Sequence, residues 1–210
     1  MPAIIDLSYN IDPAMPVYPG SDEPTIEIVS SIEQDGYKET RISVWSHIGT
    51  HIESQSHIIK EGKTLDQFNI DQFIGSAIVI SCNNLQYIEA DLLPESLNKQ
   101  KCPDFILFYT GWDKYWGTKR YFDNYPVLTL GVSKLLSSLP LKGIGIDTIS
   151  VDPIDSKEYP VHKILLNNDK VIIENLCNLD KLPRSEFSFS CVPLKISNSE
   201  ASPVRAYAII

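Results

Sequence analysis

The sequence predicts an α/β fold: a single domain spanning 1–210, with a mixed β core and few helices. Three observations lead there. Short apolar runs recur between turn signals, helical patterns are few and lie between those runs, and no repeat, low-complexity tract or long linker divides the 210 residues. A chain of this length can bury a sizeable core without staples. Its 43% hydrophobic and 21% charged residues match an ordinary globular domain.

In chain order, 77–82 (AIVISC), 105–110 (FILFYT) and 142–147 (KGIGID) read as buried strands, joined by 171–173, 187–196 and 204–210. Each is an apolar run between turn signals, most of them too short for a helix. Helices fit between them at 65–73, 90–97, 132–139 and 161–168. The last follows Pro160, whose missing donor costs nothing in a first helical turn. Gly143-Ile144-Gly145 is a fragment of a dinucleotide fingerprint without its third glycine and helix, so it marks close strand packing instead. The aromatic residues Tyr109, Trp112, Tyr115, Trp116, Tyr121 and Phe122 read as core or interface in preference to an aryl pocket. There is no G-x-S-x-G elbow and no Walker loop.

A formal net charge of −9, with no basic run, argues against a nucleic-acid partner, because phosphate binding needs clustered Lys and Arg. No apolar stretch is long enough to span a bilayer, and the start, MPAIIDLSYNIDP, lacks the basic end of a signal peptide. Cys82, Cys102, Cys177 and Cys191 are widely spaced, without zinc-ribbon or redox pairing. Cys82 and Cys191, in apolar runs, read as small buried hydrophobes. The expected address is the reducing cytoplasm.

Chemistry concentrates in one segment. Of four histidines, three fall in His47-Ile-Gly-Thr-His51-Ile-Glu53-Ser-Gln-Ser-His57. A histidine by itself is more often a core or surface residue than a ligand. Three with an interposed carboxylate form the donor set of a divalent-metal site. Regular structure cannot bring them together. On a helix Glu53 points away from His47 and His51, and on a straight strand His47 and Glu53 lie roughly 20 Å apart. The segment must therefore bend, and Gly49 is the residue that permits it, so a strand breaking into a loop at Gly49 is expected. The fourth histidine, His162, sits at the start of the last helix. Glu174 ends the apolar run VIIENL (171–176), where a carboxylate either reaches solvent or meets a cation.

HIGTHIESQSH (47–57) resembles the H-x-G-T-H-x-D-x-P-x-H signature of the cyclase family, metal-dependent hydrolases that include bacterial kynurenine formamidase and isatin hydrolase. The resemblance covers nearly the whole chain: PVYPGSDEP (16–24), YTGWDKYWG (109–117), GIGIDTISVDP (143–153), PVHKILLNNDKVIIENLCNLDKLP (160–183) and ASPVRAYAII (201–210) match family blocks in order. It implies a swivelling β/β/α-like fold and a homodimer or homotetramer. It makes His47, His51, Glu53, His162 and Glu174 ligands of one or two divalent ions, Zn2+ or Mn2+, with His57 as proton shuttle and Tyr18 lining the substrate pocket. Two positions depart from the signature, with Glu53 in place of Asp and Gln55 in place of Pro.

The activity expected from this resemblance is hydrolysis of a C–N bond in a small cyclic or N-formyl aryl amide by metal-activated water. His57 would pass protons from water to the leaving nitrogen. Each ligating imidazole should have an orienting acceptor, which the sequence does not name. Two rivals stand beside this expectation: a metal-binding protein of the same fold without turnover, and a lactone hydrolase or dehydratase using the same site.

Overall fold

The structure, a computed structural model, describes residues 2–98 and 100–210. In chain order its strands are β1 (Ile4–Asp6), β2 (Thr25–Ser30), β3 (Glu39–Ser43), β4 (His51–Glu53), β5 (Ile74–Ser81), β6 (Tyr87–Ile88), β7 (Phe105–Tyr109), β8 (Val127–Leu128), β9 (Gly143–Ile146), β10 (Val171–Glu174), β11 (Phe187–Ser190), β12 (Ala201–Pro203) and β13 (Tyr207–Ile209). The α-helices are α1 (Ile32–Asp35), α2 (Leu130–Ser138) and α3 (Pro160–Leu166).

Nine strands form one sheet in the order β1-β13-β11-β5-β7-β9-β10-β4-β12. β5, β7, β9 and β10 run parallel at its centre, with antiparallel neighbours on both sides. This is the mixed core with few helices that the sequence predicts. The central strands are apolar on both faces because both faces are covered. Along β7, Phe105 and Leu107 enter one core with Ile52, Ile173, Phe189 and Ala208. Ile106 and Phe108 enter a second with Ile144, Ile146 and Ile172, together with Val132, Leu136 and Leu165 of α2 and α3. Because the first core joins residues of β13 and β4, from distant places in the strand order, the sheet curls around it. A Cβ at Gly143 would lie 2.5 Å from the Val171 carbonyl oxygen, and one at Gly145 would lie 2.6 Å from Leu176 Cδ1. The glycine pair marks close strand packing, as expected. Trp112, Tyr115, Trp116, Tyr121 and Phe122 pack as an aromatic core with Tyr125 and Val127, and Cys82 and Cys191 are buried.

The helices expected at 132–139 and 161–168 are α2 and α3. Two other expected helices do not form. Residues 65–73 make two 3-10 turns, Leu65–Gln67 and Ile70–Phe73, separated by extended backbone at Phe68 and Asn69. Asp66, Asn69 and Asp71 are poor helix formers, and Asp66 is tied instead to the Thr64 hydroxyl and to Asn198 N. Residues 90–97 make the 3-10 turn Ala90–Leu92 and a separate turn closed by Leu97 N on the Pro94 carbonyl, since Pro94 forces Leu93 out of the helical region. The strand expected at 187–196 stops at Ser190, shortly before Pro193, which has no ladder donor. Gly49 bends the chain with a φ of 56°, but the strand, β4, follows the bend and does not precede it. No helix among the described residues is long and apolar enough to cross a membrane.

One buried carboxylate locks the ends of two central strands together. Asp147, just past β9, accepts hydrogen bonds from Thr110 N (3.0 Å), Thr110 Oγ1 (2.6 Å) and Gly111 N (2.8 Å), all at the turn after β7. Asp147→Asn turns an amide donor towards these donors. It should cost about 2–3 kcal/mol, read as a lower urea midpoint at unchanged m-value.

Candidate metal centre

β4 is the axis of the site. It lies between β10 and β12, with Glu174 opposite His51 and Ala201 opposite Glu53. Directly paired residues project to one face of a sheet, as do residues two apart. The register therefore puts His51, Glu53 and Glu174 together, on the face that α3 covers, and α3 adds His162 to them. Both ends of β4 turn back onto this face. The left-handed bend at Gly49 returns His47, whose ring centroid lies 5.1 Å from that of His51. A Cβ at Gly49 would meet only the flexible tip of Met15, at 2.9 Å, so it is the left-handed φ of 56° that favours glycine here. The 3-10 turn Gln55–His57 returns His57, with its ring 4.2 Å from that of His47.

All six residues singled out by the sequence as ligands or proton shuttle thus converge, although 127 positions separate His47 from Glu174. Glu53 is at the middle. Its Oε1 lies 3.0 Å from His162 Nε2, and its Oε2 lies 3.3 Å from His57 Nε2 and 3.6 Å from His47 Nδ1. Glu174 lies 3.5 Å from His162 Nε2 and 3.6 Å from His51 Nε2. Two triples have metal-ligand spacing, His47–Glu53–His57 and Glu53–His162–Glu174, and Glu53 belongs to both. The longer side chain at 53 therefore still reaches the centre. Gln55 points elsewhere, donating to Asp169 Oδ1 at 2.9 Å and accepting from Lys63 N at 3.0 Å.

Two imidazoles are hydrogen-bonded from behind, His51 and His162, and a third, His47, has a carboxylate nearby. His51 Nδ1 lies 2.9 Å from the Gly49 carbonyl oxygen. A carbonyl only accepts, so the proton is on Nδ1 and Nε2 presents a lone pair. His162 Nδ1 lies 2.7 Å from Asp152 Oδ2. Asp152 also accepts from the first amides of α3, Val161 N at 3.1 Å and His162 N at 3.0 Å, which fixes helix and ring together. His47 Nε2 lies 3.5 Å from Glu200 Oε1, whose position Ser46 Oγ secures by hydrogen bonding. Asp152 and Glu200 went unnamed at the sequence level. Their signal is an acidic residue just before Pro153 and just before the ASPVRA block, too common a pattern to single out.

The donors fit a cation. Among the described residues, the buried side-chain polar atoms without a hydrogen-bond partner are His47 Nε2, His51 Nε2 and both carboxylate oxygens of Glu53. Such atoms are costly to bury unless a ligand completes them. The close approaches to Glu53 lack hydrogen-bond alignment, as befits lone pairs aimed at a shared point and not at each other. Protonation is in conflict too. Burial would raise Glu53, yet His162, His57 and His47 hold it well below the usual carboxylate range. Burial and the charge of Glu53 push Glu174 up to about 7, while burial pushes His51 down to about 4. A divalent cation relieves this conflict by taking the place of shared protons.

The cluster forms the floor of a cavity of about 410 Å³, whose walls include Tyr18, Ile58, Ile149 and Tyr159. That volume suits a small organic ligand. Tyr18 donates its hydroxyl to the Ile154 carbonyl at 3.2 Å and lines the cavity. Tyr159, in a left-handed conformation with a φ of 47°, packs its ring edgewise on His162.

A family model described as "Putative cyclase" matches residues 5–153. Kynurenine formamidase of Bacillus cereus (strain ZK / E33L) is 29% identical over 203 residues, 96% of this chain and 95% of the relative. An uncharacterized protein of Methanocaldococcus jannaschii is 32% identical over 194 residues, 92% of each chain. In fold, the chain superposes on isatin hydrolase A of Labrenzia aggregata with a TM-score of 0.86 at 24% identity, covering 100% of this chain and 94% of that one.

Because Glu53 belongs to both triples, Glu53→Ala should sharply lower metal content by elemental analysis. Full retained stoichiometry would mean that it does not coordinate. Asp152→Asn should weaken metal binding about 10- to 100-fold by releasing His162, measured by chelator competition.

Proposed function

The chain belongs to the cyclase family, and from that premise we propose that it is a metal-dependent hydrolase cleaving the C–N bond of a small cyclic or N-formyl aryl amide. The observation that carries this reading is the buried, unpartnered Glu53 carboxylate, ringed by imidazoles at the floor of a cavity with aromatic walls. The kynurenine formamidase relatives support amide chemistry, and the apolar walls support an aryl substrate. His47, His51, Glu53, His162 and Glu174 are the proposed ligands. Mixed nitrogen and oxygen donors suit Zn2+ or Mn2+, and Glu53, shared by two triples, suits either one or two ions. When bound, such a cation supplies Lewis acidity, lowering the pKa of water and polarising a carbonyl.

The chain's own residues do the rest. His57 borders the centre through Nε2 and is part-exposed to the cavity. Burial lowers its pKa below the usual imidazole value, so it is neutral at pH 7 and free to act as a base. It takes a proton at Nε2 from the attacking water and returns one to the departing nitrogen, so the amide becomes a carboxylic acid and an amine. Tyr18, anchored through its hydroxyl to Ile154, offers a ring face to the substrate. Ile58 and Ile149 exclude water beside the reacting bond.

A homo-oligomer is also proposed. β2 and β3 pair only with each other, and their shared face carries exposed Ile26, Ile28 and Ile42, while Glu27 and Arg41 pair on the opposite face. An isolated two-stranded hairpin is marginal in water, and a second copy of the same face across a two-fold axis would cover it. Light scattering should report a dimer or tetramer, and Ile28→Asp should shift it towards monomer.

The test of function is elemental analysis run alongside a panel of N-formyl aryl amines, cyclic amides, lactones and esters. Chelation should abolish amide turnover, and Zn2+ or Mn2+ should restore it. Metal without turnover of any substrate would favour an inert metal binder, and preference for lactones would favour the other rival. His57→Ala should keep its metal while turnover falls by at least about 100-fold. Loss of metal instead would make His57 a ligand of the His47–Glu53 triple.

A further inference from the structure

Behind His51, away from the cavity, runs a buried hydrogen-bond chain that the metal centre does not itself contain. Tyr121, wholly buried in the aromatic core, donates its hydroxyl to Asn175 Oδ1 at 2.7 Å. Asn175 Nδ2 donates to the Gly49 carbonyl oxygen at 2.8 Å, the same oxygen that receives the Nδ1 proton of His51. The Tyr121 hydroxyl also lies 3.3 Å from the Asp147 carbonyl, and Asn175 Nδ2 lies 3.5 Å from His51 Nδ1, both longer than the contacts of the chain itself. The Gly49 carbonyl can only accept, so Asn175 turns its amide nitrogen to Gly49 and its oxygen to Tyr121.

Asn175 is itself held on both sides. Its backbone N–H donates to the Thr148 carbonyl at 3.0 Å, and its carbonyl accepts from Thr50 Oγ1 at 2.6 Å. It adopts a left-handed conformation with a φ of 56°, directly after Glu174. Gly49, by contrast, has no side chain with which to hold its own peptide units, and glycine rotates more freely than any other residue. If the Gly49 carbonyl swung away, His51 would lose the acceptor that keeps its proton on Nδ1. The other tautomer would then put a proton where the lone pair should be.

We propose that Tyr121 and Asn175 are positioning residues of the metal centre: they pin the Gly49 carbonyl, so that His51 keeps its proton on Nδ1 and presents a bare Nε2 to a divalent cation. This rests on the metal-centre reading above. Neither residue touches substrate or the cavity. Their effect reaches the His51 ring through the Gly49 peptide group, with Asn175 Nδ2 itself 3.5 Å from Nδ1.

The test uses the full chain with Tyr121→Phe and Asn175→Leu. The control is Ser133→Ala, which removes a hydroxyl bond to the Thr129 carbonyl at the start of α2, outside the Tyr121–Asn175–Gly49 chain. Zn2+ affinity, measured by competition with a chromophoric chelator, should fall about 10- to 100-fold in Asn175→Leu, less in Tyr121→Phe and not in Ser133→Ala. In the metal-free proteins, 15N correlation spectra should show one His51 tautomer in the wild type and a mixture in Asn175→Leu and Tyr121→Phe. Wild-type affinity with a single tautomer in Asn175→Leu overturns the proposal, as does an equal loss in Ser133→Ala. Should Asn175→Leu fail to fold, Tyr121→Phe, which keeps the ring, decides by the same two measurements. A wild-type chain that takes up no Zn2+ would sink the metal-centre reading, while the tautomer comparison still decides this one.

Discussion

The structure depends on a single costly act, the burial of two carboxylates a few ångströms apart. Glu53 and Glu174 are almost wholly withdrawn from water, and the Glu53 oxygens find no aligned donor among the described residues. An ionised carboxylate in a protein interior needs a partner, and removing the partner from such a pair is strongly destabilising. Four imidazoles approach this charge, yet His51 and His162 are turned by acceptors behind them so that lone pairs, not protons, can face inward. The molecule spends stability here to hold a constellation that makes chemical sense only around positive charge.

The scaffold makes that burden tolerable by putting the constellation on rigid elements. His51 and Glu53 sit in a strand hydrogen-bonded on both sides, Glu174 ends a central parallel strand, and His162 lies in a helix capped by Asp152. The Asp147 knot ties the neighbouring strand ends together, and the aromatic core that holds Tyr121 grows from the same turn. Only the flanks of β4, carrying His47 and His57, belong to irregular backbone. Those two imidazoles are also the more exposed ones, as suits groups that meet an incoming substrate.

Much of this was legible in the sequence, for reasons of rarity and repetition. Histidines are few, so three within eleven positions stand out, and the central strands β5, β7, β9 and β10 announce themselves as unbroken apolar runs. What escaped lacks either property. β1, β4 and β12 are three residues long, too short for any periodic pattern, and β4 is the strand on which the site is built. The expected helix at 65–73 had the right apolar spacing, but its Asp and Asn side chains favoured separate turns. β2, outside the strands expected from the sequence, alternates as TIEIVS, yet its apolar face turns to no core in this chain. Asp152, Glu200 and Asn175 are ordinary polar residues until folding sets each one behind an imidazole or the peptide that steers it.

The pairing of β4 with β10 joins residues more than a hundred positions apart, with three parallel strands built in between. Contacts of such long range form late, since the intervening loop must be closed before they repay its entropy. The strand that carries His51 and Glu53 thus gains its β10 neighbour, and with it Glu174, only through contacts of long range. Of the two triples, His47–Glu53–His57 is local to one segment, whereas Glu53–His162–Glu174 exists only where the sheet has closed in register.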